Sequence, residues 1–234
     1  MKSIAHSTAK IVSIVFVLLI IFCSFTSCSS GTKEGNEPAE PPVRLGAVSD
    51  ASASLERTYS LTSAFELADA VAVVEIKSWL FEDKEMHATF YSAATDRCYK
   101  GELPESFTLA QNGCSEITYV DYPLFTVGNK LLLFLNYAEN TEYGNLYWIR
   151  GSYTTVMDVV LSDSGEEYIA DRFGVTGYET RYETKGIDNY AGEKEVYDSV
   201  ISNLEKSDPI LSEIGYEYPY IFRVNDVERL FKEH

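Results

Sequence analysis

Histidine is nearly missing from this chain. Of three in 234 residues, only His87 and the terminal His234 follow residue 28, too few for a histidine-based triad or a multi-histidine zinc site. His87 lies in the charged stretch EDKEMHAT (82–89) and reads as a solvated surface side chain. Positive charge is also scarce, with 19 Lys and Arg against 36 Asp and Glu. Lys2 and Lys10 precede Cys28 and no acid does, so the chain from Cys28 onward carries 17 cations against 36 anions, a net −19. Such a surface repels phosphate backbones and excludes nucleic acid as a partner; it favours solubility, basic partners or loosely held divalent cations. The densest acidic turn, Asp163-Ser164-Gly165-Glu166-Glu167, lacks the ligand spacing of an EF-hand loop, and no metal or cofactor is expected. Cysteine is sparse as well: of four, only Cys98 and Cys114 fall in the folded part.

Long apolar runs are limited to one, Ile11 to Phe25 (IVSIVFVLLIIFCSF). As a helix its fifteen residues would cover about 22 Å of a ~30 Å hydrocarbon core, short for a membrane span and suited to a signal peptide with Lys2 and Lys10 as its positive start. Small residues Thr26 and Ser27 then stand directly before Cys28. This ending resembles the lipobox of bacterial lipoproteins, although Phe25 occupies a position usually held by an aliphatic residue. The resemblance implies lipidation of Cys28 and a mature chain anchored by palmitate and diacylglycerol on the extracytoplasmic face of the cell membrane. An uncleaved anchor helix is the alternative, and it places the rest of the chain on the same side. In that compartment Cys98 and Cys114 read as a disulfide, worth about 3 kcal/mol for a loop of this size, or as two free thiols.

Residues 29–56 are rich in Gly, Ser, Ala, Pro and Glu without an aromatic, and read as a flexible tether. The domain at 57–234 opens with a short helix from about Thr62 to Asp69, for which Ser63 and Glu66 form a capping-box pattern. Strands follow at Ala70–Leu80, Thr89–Tyr99 and Ser106–Gln111, with a turn at Lys100-Gly101-Glu102-Leu103-Pro104. Lys130–Tyr137 (KLLLFLNY) is the most apolar segment and reads as a strand buried on both faces. Asn145–Val160 is extended and interrupted at Gly151, and Asp163–Gly165 turns the chain into Glu167–Arg172. Glu193–Lys206 is an amphipathic helix ended by Pro209, and a last helix spans Asn225–Lys232 with Asn225 as its N-cap.

This order predicts an α+β, mainly β domain: a curled or closed antiparallel barrel with a short N-terminal helix and C-terminal helices. The run Ala-Asp-Ala-Val (68–71), Tyr-Lys-Gly (99–101), Phe-Thr-Leu-Ala-Gln-Asn-Gly (107–113) and Val-Gly-Asn-Lys-Leu-Leu-Leu-Phe-Leu (127–135) resembles uncharacterised bacterial lipoprotein domains with an OB-like barrel. These are distantly similar to the inhibitor domain of metalloproteinase inhibitors. The resemblance carries no catalytic signature and speaks to fold more than function.

All 17 tyrosines lie beyond residue 28, grouped at Tyr143, Tyr147, Trp148 and Tyr153, at Tyr178, Tyr182 and Tyr190, and at Tyr216, Tyr218 and Tyr220. The first group is a candidate binding patch, because Tyr and Trp combine an apolar face with a polar edge suited to proteins and sugars. The expected function is therefore a non-catalytic, membrane-anchored module that binds a protein or glycan at the cell envelope. The alternatives are a hydrolase using carboxylates such as Asp163, Glu166 and Glu167 and, by distant fold resemblance alone, an envelope protease inhibitor.

Overall fold

Lys130–Tyr137 is the strand on which the molecule closes, and its sequence shows why. Leu131, Leu133 and Leu135 point into one core while Leu132 and Phe134 point into another, so an uninterrupted apolar run satisfies both faces of a pleated strand. The computed structural model describes residues 41, 43–44, 46–48, 59–118, 122–139, 141, 143–172 and 187–233. The apolar run, Cys28, most of the expected tether, Tyr178 and Tyr182 lie outside the described residues.

The strands, in chain order, are β1 (Ala47–Val48), β2 (Ala70–Asp83), β3 (Ala88–Lys100), β4 (Ser106–Asn112), β5 (Ile117–Thr118), β6 (Lys130–Tyr137), β7 (Leu146–Ile149), β8 (Val156–Leu161), β9 (Glu167–Asp171) and β10 (Tyr220–Arg223). The helices are α1 (Leu61–Leu67), α2 (Lys194–Ser207), α3 (Ile210–Ile214) and α4 (Val224–Lys232). Strands β2, β3, β4, β7 and β6 close a five-stranded barrel of the OB-like kind. Four of its five contacts are antiparallel, and the closing contact between β4 and β7 is parallel.

One edge of β6 serves two strands. Its second half pairs with β7 through Leu135↔Ile149 and Tyr137↔Tyr147, its first half with β8 through Leu131↔Asp158 and Leu133↔Val156. The break expected at Gly151 is a bend (φ 76°) followed by a 3-10 turn at Ser152–Thr155. It lets β8 leave the barrel and carry β9 and β10 as an extension of the same sheet.

Three cores result. Inside the barrel, Ala70, Ala72, Val74 and Ile76 of β2 meet Tyr91, Phe107, Phe125 and the leucines of β6. On the outer face of β2 and β6, Val71 and Val73 meet α1 and α4, where Phe65 stacks on Phe231 with ring centroids 4.5 Å apart. The far face of β9 and β10 packs Tyr168, Ala170 and Ile221 against Val200 and Leu204 of α2 and Leu211 of α3.

Several expectations need correcting. The capping box of α1 is Ser60 with Ser63 rather than Ser63 with Glu66: Ser60 Oγ accepts from the Ser63 amide at 3.0 Å, and Ser63 Oγ accepts from the Ser60 amide at 2.8 Å. The N-cap of α4 is Arg223, without a side-chain cap bond, because β10 runs directly into the helix and leaves no turn for Asn225. The disulfide is absent, and Cys98 and Cys114 are free. Asn112 lies opposite Ala88, whereas Cys98 is ten positions further along β3, roughly 30 Å away at ~3.3 Å per residue, against the ~7 Å Cα separation that a bridge tolerates. Within the stretch read as tether, Ala47–Val48 pairs in parallel with β5, and Arg44 bonds the Asp208 carboxylate and the Leu124 carbonyl.

Candidate functional site: an aromatic face on the barrel

The register across four strands aligns Phe81↔Phe90↔Ala110↔Trp148 on the outside of the barrel. Phe81 and Phe90 stack at 4.5 Å, Trp148 meets Phe90 edge-on at 6.1 Å, and Tyr143 of the β6–β7 loop lies 5.3 Å from Phe81 and 5.1 Å from Phe90. Ala110 and Leu146 complete the floor. Phe90 is fully covered, whereas Phe81, Tyr143 and Trp148 are half-buried on the outside of the barrel. Exposed Met86 (53%) stands in the adjoining β2–β3 turn.

Two of the four residues singled out in the sequence thus meet here, Tyr143 and Trp148. Tyr147 does not, because consecutive strand residues point to opposite faces; it turns inward against Phe107 at 5.1 Å. Tyr153 falls in the 3-10 turn, with its side chain outside the described ones. Phe81 and Phe90 were not legible as members: β2 and β3 shift register several times, including between Trp79 and Phe81, so no simple alternation pairs the two rings. Of the described members of the other tyrosine groups, Tyr190 and Tyr218 are buried and Tyr216 and Tyr220 half-buried, with Tyr190 against Tyr168 at 5.7 Å and Tyr216 against Tyr218 at 6.0 Å.

Acids adjoin the face along the chain. Asp83 ends β2 two residues beyond Phe81, exposed Glu85 lies in the β2–β3 turn, and exposed Glu139 follows Ala138, which packs on the aromatic cluster. Glu82 is engaged by Ser115, accepting from its amide at 2.9 Å and its hydroxyl at 2.7 Å. Lys84 is held by Glu116 at 2.5 Å, and that hydrogen bond and charge raise its pKa. His87 is exposed in the same turn at φ 49°, which agrees with a surface role.

A second concavity, about 330 Å³, lies between β8 and helices α2 and α3 and is lined by Asn129, Lys130, Asp158, Glu167, Asn203 and Asp208 among others. Its carboxylates are tied to cations. Asp158 holds Arg172, where burial opposes the guanidinium charge and Asp158 more than restores it, raising the pKa. Asp208 holds Arg44. Partial burial pushes the Glu167 carboxyl up, but bonds from Lys130 (3.0 Å) and Arg97 (2.7 Å) outweigh it and hold the pKa below the usual range. A glycosidase-type general acid needs the opposite shift. The turn acids also disperse: Asp163 accepts from Asn203, and Glu166 accepts from the Tyr168 hydroxyl and forms an ion pair with Arg223. Among the described residues no three His, Cys, Asp or Glu side chains are grouped to hold a metal, and no helix is long and apolar enough to cross a membrane.

Compared with known proteins, the chain matches no family model and no curated sequence.

Proposed function

We propose that this protein is an extracytoplasmic lipoprotein, anchored through Cys28, whose OB-like domain is a non-catalytic module binding a protein or glycan at the cell envelope. The observation that carries the reading is the row of Phe81, Tyr143 and Trp148 on the outside of the barrel, supported from beneath by Phe90. Ring surface held rigidly by a sheet costs little ordering entropy on binding, which is why aromatic anchors dominate binding sites. The outer strands of OB barrels are a common ligand surface, a fold-level analogy that points the same way. The hydrolase reading is disfavoured by the cation pairing of the acids in the α2–α3 groove, and no specific observation favours protease inhibition.

Wild type, Cys28→Ala and Trp148→Ala, each as the full chain, test both parts together by palmitate labelling in a bacterial host and by retention of detergent-purified protein on isolated envelope fragments. Cys28→Ala should lose the label. Trp148→Ala should keep it and lose about tenfold or more in retention, the scale of a central aromatic anchor. Undiminished retention by a folded Trp148→Ala chain would remove the aromatic face from the proposal.

A further inference from the structure

Resting on that reading, we propose that the aromatic face accepts an arginine-bearing segment of a basic partner protein. The argument begins with how this chain houses its own arginines. Arg172 is paired with Asp158 and lies over the Tyr216 ring at 5.2 Å. Arg223 is paired with Glu166 at 3.0 Å and lies over Tyr190 at 4.5 Å. The arrangement is chemically sound, because a planar guanidinium stacks on an aromatic face while its edge donates to a carboxylate.

The outer face offers the same two parts. Its rings are the half-buried Phe81 and Trp148; the carboxylates nearest along the chain are Asp83, two residues from Phe81 on β2, Glu85 in the next turn and Glu139 beside Ala138. Lys84, between Asp83 and Glu85, is already neutralised by Glu116. Among the described residues, the cation–aromatic contacts fall on Phe65, Tyr59, Tyr216 and Tyr190, and none on Phe81 or Trp148. With −19 beyond residue 28, the field of the whole molecule draws a basic partner and turns away phosphate-bearing ones. An uncharged sugar would stack on the rings and donate hydroxyls to the acids, but it would gain nothing from this field.

The test titrates the full chain in nonionic detergent with a blocked (Gly-Arg)4 peptide, its (Gly-Lys)4 counterpart and the uncharged tetramer of N-acetylglucosamine, following backbone amide shifts. The arginine peptide should saturate and shift the amides of Phe81, Phe90 and Trp148, and the lysine peptide should bind at least about threefold more weakly, lacking the planar stack. A triple variant, Asp83→Asn with Glu85→Gln and Glu139→Gln, should lose about tenfold in affinity. It leaves an acceptor at position 83 for the Met86 amide, which Asp83 Oδ1 now receives at 2.9 Å. Sugar binding at the face without peptide binding overturns the arginine proposal and leaves the binding-module reading standing. Silence from all three probes counts against both. Equal peptide binding by the triple variant, or shifts spread over the acidic surface, shows nonspecific attraction and overturns the proposal.

Discussion

At the scale of single residues, charge pairing at the barrel wall sets the response to acid. Lys130 bonds Asp96 at 2.9 Å and Glu167 at 3.0 Å, and Arg97 completes the cluster. The hydrogen bond from Lys130 lowers the Asp96 pKa, and Lys130 with Arg97 lowers that of Glu167 against partial burial. A depressed carboxyl pKa stabilises the fold above the unfolded value near ~4, and that contribution is lost as pH falls through the folded value. Lys130→Gln should therefore lower stability at pH 7 by at most about 1 kcal/mol, since these groups are partly solvated. It should also flatten the loss of stability between about pH 4 and pH 2. Urea titrations of both chains at pH 7, 4 and 3 measure the two effects; parallel pH profiles would show that Lys130 does not govern these carboxyls.

Among the elements, the β3–β4 hairpin shows how a readable turn hides a tertiary constraint. The Lys100–Pro104 turn was legible from its Gly and Pro, and Gly101 adopts φ +74°, the left-handed region that a side chain resists. The structure adds a second demand: a Cβ at position 101 would stand 2.3 Å from the Asp69 carbonyl oxygen, at the junction of α1 and β2. Gly101→Ala should cost more than about 2 kcal/mol, because strain and clash both act and the obstacle is backbone. Denaturant melts of the variant check this, and a cost below 1 kcal/mol would mean that the α1–β2 junction yields. Two elements escaped the sequence reading for simpler reasons. Helix α3 has only five residues and begins after Pro209, which read as a stop. Strand β10 has four, too few to show a period.

For the whole molecule, the length of β3 separates the two folded-domain cysteines, Cys98 near one end of it and Cys114 just beyond the β4 residue that pairs with the other, and decides the redox behaviour. A bridge closing their loop would contribute about 3 kcal/mol, and each kcal/mol shifts the melting temperature of a domain this size by about 2–4 °C. With Cys98 exposed, Cys114 buried and no bridge between them, dithiothreitol should leave the melting temperature unchanged. A fall of several degrees on reduction would mean that the cysteines are bridged in solution. The segment at 41–48 belongs to this scale too: Arg44 and the short β1 pairing bind residues read as tether to the folded domain.

What the sequence determined by itself was local and periodic. Alternation in β2, the two-sided apolar run of β6, the amphipathic face of α2 and the breaking glycine at 151 each follow from residues within one or two turns or strands of each other. They sufficed for a mainly β barrel with terminal helices. The tertiary structure alone decided what depends on register and on partners distant along the chain. Bulges in the β2–β3 pairing bring Phe81 onto Phe90, and closure of β4 against β7 sets Trp148 beside Ala110. The same pleat sends Tyr147 inward, because a strand cannot present neighbouring residues on one face.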